Sequence, residues 1–246
     1  MGKRIVCIGS LVALLLALVV VSHAELVAHW PMDEGSGNEI QDIAGKGGVG
    51  TFVGSPTWAD GKVGGALECS PGNHVSVPGN ADLEPTSVTA TMWVYFNDVA
   101  PPRQDFFSKN DDYALSLHEW ADDGTIYPII HMPADWVVAP GTVQIEAGRW
   151  YHVALVYDEN STDLISYVDG EEDARTQAPD GIGYRGGPLT LGDYGGRPLK
   201  GLLDEVKIWN EALPQADIRA DMEGGLTSVD SHGKLAALWG QIKSPR

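Results

Sequence analysis

Val88-Thr89-Ala90-Thr91-Met92-Trp93-Val94-Tyr95-Phe96 is the stretch on which the fold class turns. Its period is two. Val88, Ala90, Met92, Val94 and Phe96 point to one side, and Thr89, Thr91, Trp93 and Tyr95 to the other. A helix would scatter these side chains around its circumference, whereas a strand sorts them onto two faces. Arg149 to Tyr157 is mostly apolar or aromatic on both faces, the pattern of a central strand.

Outward from these two segments, short runs of the same character recur. They are Leu26–Met32, Thr51–Val53, Ala66–Cys69, His74–Val77, Asp105–Ser108, Tyr113–His118, Ile126–His131, Leu164–Val168, Pro188–Leu191 and Gly201–Trp209. Turn pairs separate them, among them Asp60-Gly61, Pro71-Gly72, Pro78-Gly79, Asp123-Gly124, Pro140-Gly141 and Asp169-Gly170. Many short strands joined by such turns imply an all-β, two-sheet antiparallel sandwich. One short helix is expected over Pro214–Met222, with Pro214 opening it and Gly224 stopping it. Gly224 to Gly233 reads as a linker. Lys234 to Lys243 places Leu235, Leu238, Trp239 and Ile242 on one helical face.

Composition narrows the function. Thirty-four acidic residues against sixteen basic ones give a net charge of −18. Phosphate binding needs clustered Lys and Arg, so nucleic acid is excluded as the main partner, and so is a polybasic membrane-surface role. Residues 1–24 read as a signal peptide: Lys3 and Arg4, the apolar run Leu11–Val21, then Ser22-His23-Ala24 before a cleavage point at Glu25. The apolar run is shorter than the roughly 20 residues of a spanning helix, and no later run could cross a bilayer. The mature chain is therefore expected to be secreted, cell-surface or periplasmic. Cleavage removes Cys7 and leaves Cys69 as the one thiol, buried filler by its apolar context, with no disulfide to brace the fold.

Several motifs resemble a known family. Leu26-Val27-Ala28-His29-Trp30-Pro31-Met32-Asp33-Glu34-Gly35-Ser36-Gly37 looks like the opening of laminin-G-like, concanavalin A-like jelly-roll domains. Trp58 to Leu67, Trp150 to Asp158, Tyr167-Val168-Asp169-Gly170 and Gly201 to Leu213 resemble later blocks of the same family, in family order. The resemblance implies a jelly-roll domain over residues 25–222, followed by a linker and short tail over 223–246. The turn Gly45-Lys46-Gly47-Gly48-Val49-Gly50 departs from the Asn- and His-bearing turn common in the family. It formally matches a dinucleotide fingerprint. A strand rather than a helix follows it, so it is read as a turn.

Asp204 draws attention in the last strand. Strict alternation from Gly201 puts Leu202, Asp204, Val206 and Ile208 on one apolar face, with Glu205 and Lys207 on a wetter one. A buried carboxylate needs a partner. One reading is a structural Ca²⁺ held by Asp33 and Asp204, with Asp42 as a third ligand; jelly-roll relatives commonly carry a metal where these termini meet. The other is that Asp204 accepts hydrogen bonds from backbone amides or from His152 on a facing strand. His152 itself reads as a core histidine.

The superfamily includes glucanases, and glycoside hydrolysis needs two carboxylates across the bond. No strand carries a Glu-x-Asp-x-x-Glu pattern, and the runs Glu119–Asp123 and Glu171–Asp173 read as solvated tips. The middle of the chain instead gathers Asp111, Asp112, Tyr113, Trp120, Tyr127, His131 and Trp136. Aromatic faces and acids are what sugar recognition uses, so Tyr113, Trp120, Tyr127 and Trp136 are the expected carbohydrate-contacting residues. The alternative is that Trp120 and Trp136 anchor long loops. The expected function is non-catalytic binding of a carbohydrate or a glycan-bearing surface glycoprotein. A structural, adhesive protein–protein module and a degenerate glycosidase are the alternatives. The net negative charge disfavours sulfated or uronic polymers.

Overall fold

The computed structural model of the chain describes residues 24–55, 57–118 and 122–225. The residues assigned to the signal peptide before Ala24, Trp120, and the tail beyond Gly225 with its expected helix lie outside the described residues.

The strands run in chain order as β1 (Leu26–Trp30), β2 (Glu39–Ile40), β3 (Gly50–Val53), β4 (Thr57–Asp60), β5 (Gly65–Cys69), β6 (His74–Val77), β7 (Val88–Phe96) and β8 (Gln104–Lys109). They continue as β9 (Tyr113–Leu117), β10 (Ile126–His131), β11 (Trp136–Val138), β12 (Trp150–Asp158), β13 (Asp163–Val168), β14 (Glu171–Gln177), β15 (Leu189–Leu191) and β16 (Gly201–Trp209). A single α-helix, α1 (Gln215–Met222), follows among the described residues. Two antiparallel sheets form. The first has the order β14-β13-β12-β7-β16-β5-β4, with β1 also paired to β16. The second has the order β11-β10-β9-β8-β15-β6-β3-β2. This is a jelly-roll sandwich.

The alternation of Val88–Phe96 is realised. Val88, Ala90, Met92, Val94 and Phe96 enter the core between the sheets, where Phe96 meets Phe106 edge-on with ring centroids 5.8 Å apart. Trp30, Phe107, Leu115, Ile130, Tyr151 and Leu155 fill the same core. Cys69 is buried there, and burial pushes its thiol pKa up. Four strands carry little sequence signal. β2 has two residues, β4 and β11 are short, and β14 (Glu-Glu-Asp-Ala-Arg-Thr-Gln) is a mostly exposed edge strand. Its charges block further strand pairing, which is what an edge needs and what makes it read as a turn.

The face assignment in β16 is corrected by a bulge. Leu203 faces the core, and so do Val206 and Ile208, an odd-to-even change of phase. Glu205 adopts φ +52°, and pairing with β7 breaks between Asp204 and Lys207. One extra residue therefore flips the pattern. Asp204 pairs with Trp93, and Lys207 with Thr91, so both lie on the outer face of the first sheet rather than on the core side.

That outer face is not wet either, because α1 packs on it. Ile218 and Leu213 cover Val156, Ile165, Tyr167 and Trp209. Pro214 caps the helix with extended backbone, φ −68° and ψ 156°, one position earlier than expected. Beneath the helix Asp221 binds Lys207 Nζ at 2.9 Å, Thr91 Oγ1 at 2.7 Å and His152 Nε2 at 3.3 Å. Burial pushes the Asp221 carboxyl pKa up, but the His152 hydrogen bond and the Lys207 charge outweigh it and hold it at about 2. His152 is thus buried as expected, with a partner on the helix rather than Asp204.

Candidate functional site

The three acids expected to share a cation do different jobs. Asp42 accepts five backbone N–H groups: His29 and Ala44 at 2.9 Å on Oδ1, then Gly45 at 2.9 Å, Gly47 at 2.7 Å and Gly48 at 3.1 Å on Oδ2. It organises the Gly45–Gly50 turn. A Cβ on Gly47 would lie 2.3 Å from the Ala28 Cβ, which explains glycine there. Asp33 accepts the Gly65 N–H at 2.7 Å, and Asp204 accepts the Val63 N–H at 2.8 Å. Asp33 and Asp204 therefore meet at the β4–β5 turn, and Asp42 does not join them. Calcium takes six to eight oxygens. Among the described residues no three His, Cys, Asp or Glu side chains are grouped to hold a metal. The expected Asp33, Asp42 and Asp204 set does not assemble as a three-ligand calcium site, because Asp42 spends both oxygens on the backbone N–H groups of its own turn. Among the described residues Asp204 Oδ1 has no hydrogen-bond partner, and burial raises its carboxyl pKa to about 7 against the Val63 hydrogen bond.

The expected aromatic residues divide across the second sheet. Alternation turns Phe107, Tyr113, Leu115 and Ile130 into the core. On the outer face lie cross-strand rows Asp105–Ser116–Tyr127 and Ser108–Ala114–Ile129–Val138. Tyr113 is corrected to a core residue. It is wholly buried, donates to Leu83 O at 3.0 Å, and packs on Phe107 and Tyr184. Tyr127 is on the outer face but only 2% exposed, packed with Ala114 and Ile129, and its hydroxyl donates to Asp123 at 2.5 Å. Neither ring offers a face to a sugar. Trp136 is the most open of the three, 39% exposed.

Around Trp136 the fold assembles groups that lie far apart in sequence. The Arg185 guanidinium sits 5.1 Å from the Trp136 ring centroid, and His131 meets the ring edge-on at 4.7 Å. Arg185 Nε donates to buried Asp112 at 3.0 Å, and Nη2 donates to Asn110 O at 2.7 Å. Asp112 also faces Lys109 Nζ at 3.8 Å, and that buried ammonium is bound by Glu84 at 2.8 Å. Arg103 and Arg197 hold buried Asp105 from two sides, each Nε at 2.5 Å.

Asp111 stands among these groups. Its N–H donates to Ser108 Oγ at 2.9 Å, which folds the β8–β9 turn back over the outer face. Asn110 and Asp111 both have left-handed backbones, φ 50° and 61°. Burial raises the Asp111 carboxyl pKa, with Arg103, Arg197 and Arg185 near enough to oppose it. Tyr194 adjoins the same charges, and burial raises its hydroxyl pKa. The three arginines and Tyr194 carry no local signal. They come from loops that only the strand order brings together, in a chain whose overall acidity hides a basic cluster. A separate polar cleft of about 410 Å³, lined by Thr86, Asp158, Glu159, Asn210 and Glu211, offers no aromatic ring.

Comparison with known proteins places the architecture. A family model described as the concanavalin A-like lectin/glucanases superfamily matches residues 70–219. No curated protein sequence matches the chain. Among solved structures, domain 4 of AbnA, a GH43 extracellular arabinanase from Geobacillus stearothermophilus in complex with arabinotriose, has a TM-score of 0.65 at 23% identity; the match covers 80% of this chain and 98% of that one. The binding domain of Paraclostridial Mosquitocidal Protein 1 has a TM-score of 0.67 at 15% identity, over 81% of this chain and 52% of that one. Trypanosoma rangeli sialidase in complex with the inhibitor DANA has a TM-score of 0.60 at 15% identity, over 79% of this chain and 32% of that one. At these identities the structural likeness shows the fold alone. Among the described residues no helix is long and apolar enough to cross a membrane.

Proposed function

The chain belongs to the concanavalin A-like lectin/glucanases superfamily, and from that premise we propose that it is an exported, non-catalytic binding module for a carbohydrate or a glycan-bearing surface. The observation that carries the proposal is the outer-face cluster of Trp136, Arg185 and Asp111. An exposed ring is braced by a guanidinium, beside a half-buried carboxylate. Carbohydrate sites combine a ring for sugar C–H groups with a few oriented polar groups for hydroxyls. The arabinanase domain solved with arabinotriose supports a sugar as the ligand class.

Two of the neighbouring acids support the non-catalytic reading. Hydrolysis needs an acid and a base or nucleophile across the scissile bond. At this face Asp105 is held between Arg103 and Arg197, and Asp112 between Arg185 and Lys109. Both serve as buried counter-ions. Export rests on the segment ending at Ala24 and places the module outside the cytoplasm.

A glycan array tests the reading, with Trp136→Ala beside the parent protein. Binding to at least one glycan that is lost in Trp136→Ala supports it. A blank array beside capture of a defined surface protein would favour the adhesive alternative, and turnover of a β-glucan would reinstate the glycosidase.

A further inference from the structure

Three features of the Trp136 face bear on what kind of sugar fits. The first is Asp111. Among the described residues no side chain or backbone N–H donates a hydrogen bond to its carboxylate, although the group is about half withdrawn from solvent. Asp111 is partly exposed, so its two acceptor oxygens are open to donors from outside the chain. The second is Arg185. Its Nε and Nη2 are committed to Asp112 and Asn110, which fixes the guanidinium plane and leaves its Nη1 edge without a partner among the described residues. The third is local charge: Arg103 and Arg197 are both held by Asp105, and Arg185 by Asp112, so each guanidinium of this face already has a carboxylate.

We propose that this face selects a neutral sugar through a vicinal diol, with two adjacent hydroxyls donating to Asp111, Arg185 Nη1 donating back to a hydroxyl oxygen, and Trp136 covering the sugar's C–H face. The proposal rests on the glycan-binding reading above and adds the ligand class and the residues that set it. Two hydroxyls on neighbouring carbons match the two oxygens of one carboxylate, and a charged acceptor makes these bonds stronger than neutral ones. An acidic sugar would bring a second carboxylate against one already short of donors, a like-charge contact in a partly desolvated site. The left-handed pair Asn110 and Asp111, pinned by Arg185 on the Asn110 carbonyl, holds the acceptor in place before the sugar arrives.

The experiment uses calorimetric titration of the whole exported chain with arabinotriose, cellotriose, mannotriose and trigalacturonate. Parent, Asp111→Asn and Arg185→Lys proteins are compared, and thermal midpoints check folding. The expected result is binding of at least one neutral trisaccharide and none of trigalacturonate. Asp111→Asn should weaken the neutral ligand about tenfold or more, because the amide keeps the shape but loses one acceptor and the charge. Arg185→Lys should weaken it as well, since an ammonium lacks the planar edge. Trigalacturonate bound by the parent protein in preference to the neutral sugars would overturn the diol assignment while leaving glycan binding intact. Neutral binding unchanged in Asp111→Asn would overturn it too. If none of the four sugars binds and the glycan array is blank, the glycan-binding reading fails and the diol assignment fails with it.

Discussion

Asp33 and Asp204 grip the same β-turn from opposite ends of the chain: Asp33 accepts the Gly65 N–H at 2.7 Å and Asp204 the Val63 N–H at 2.8 Å. The first strand and the last are thereby tied to the β4–β5 hairpin. Gly64 makes the close approach possible; its φ is +74°, and a Cβ there would lie 2.2 Å from Asp33 Oδ1.

This arrangement has a pH signature. Asp204 is fully buried, and its pKa is raised to about 7 from an unfolded value near 3.9. The native state therefore holds this proton more tightly than the unfolded state. The resulting stabilisation is complete below about pH 4 and is lost as pH rises through about 7, by at most about 1.4 kcal/mol per pH unit. Asp204→Asn should flatten that part of the profile, because its carbonyl still accepts the Val63 N–H. Urea unfolding between pH 4 and 8 measures it. The same titrations with calcium and with chelator should agree, since Asp42 is turned to its own backbone and leaves Asp33 and Asp204 short of the ligands a site needs; a calcium-dependent midpoint would restore a metal to this region.

Asp221 is expected to be the residue that seats α1. Asp221→Ala would leave the Lys207 ammonium under the helix with Glu205 alone, at 3.5 Å, and His152 and Thr91 without their acceptor, a loss of about 3 kcal/mol. Adding Lys207→Met should recover much of it. The carboxyl is held at about 2, below its unfolded value near 3.9. Its contribution is thus present above about pH 4 and falls away as pH drops through about 2. Denaturant midpoints of the single and double variants, followed into acid, check both statements.

Tyr113→Ala and Trp136→Ala should behave oppositely. Tyr113 is wholly buried, so its truncation should cost about 3–5 kcal/mol. Trp136 is 39% exposed, so its removal should shift stability by about 1 kcal/mol or less while abolishing glycan binding. Equal losses of stability would make Trp136 a packing residue.

Export predicts a mature chain that begins at Glu25, which N-terminal mass spectrometry of secreted protein reads directly; an intact Met1 would contradict it. Truncation after Met222 should leave a folded protein, because β16 and α1 are complete by then. Loss of the cooperative transition on truncation would assign the tail a structural role.

Alternation was enough to place most of the core. In β7, β6 and β10 a period of two names the side chains that face the core between the sheets, since neighbouring residues of a strand must point to opposite faces. The family motifs likewise lie in continuous runs such as Trp150–Asp158. The sequence by itself therefore determined the class of fold, its order of strands along the chain and the expectation of a glycan-binding module. What it could not carry was anything that depends on a change of phase or on distance along the chain. A single left-handed residue, Glu205, reversed the faces of β16 and moved Asp204 outward. The same alternation that placed Tyr113 inside separated it from Trp136, although both are aromatic residues of the same stretch. Arg103, Arg185, Arg197 and Tyr194 met Asp111 only because β15 pairs with β8 and brings the loops around it against the β8–β9 turn. Strand identity is written in neighbouring residues, whereas a binding face is set by which strands become neighbours, and that is decided by closing the sheets around the core.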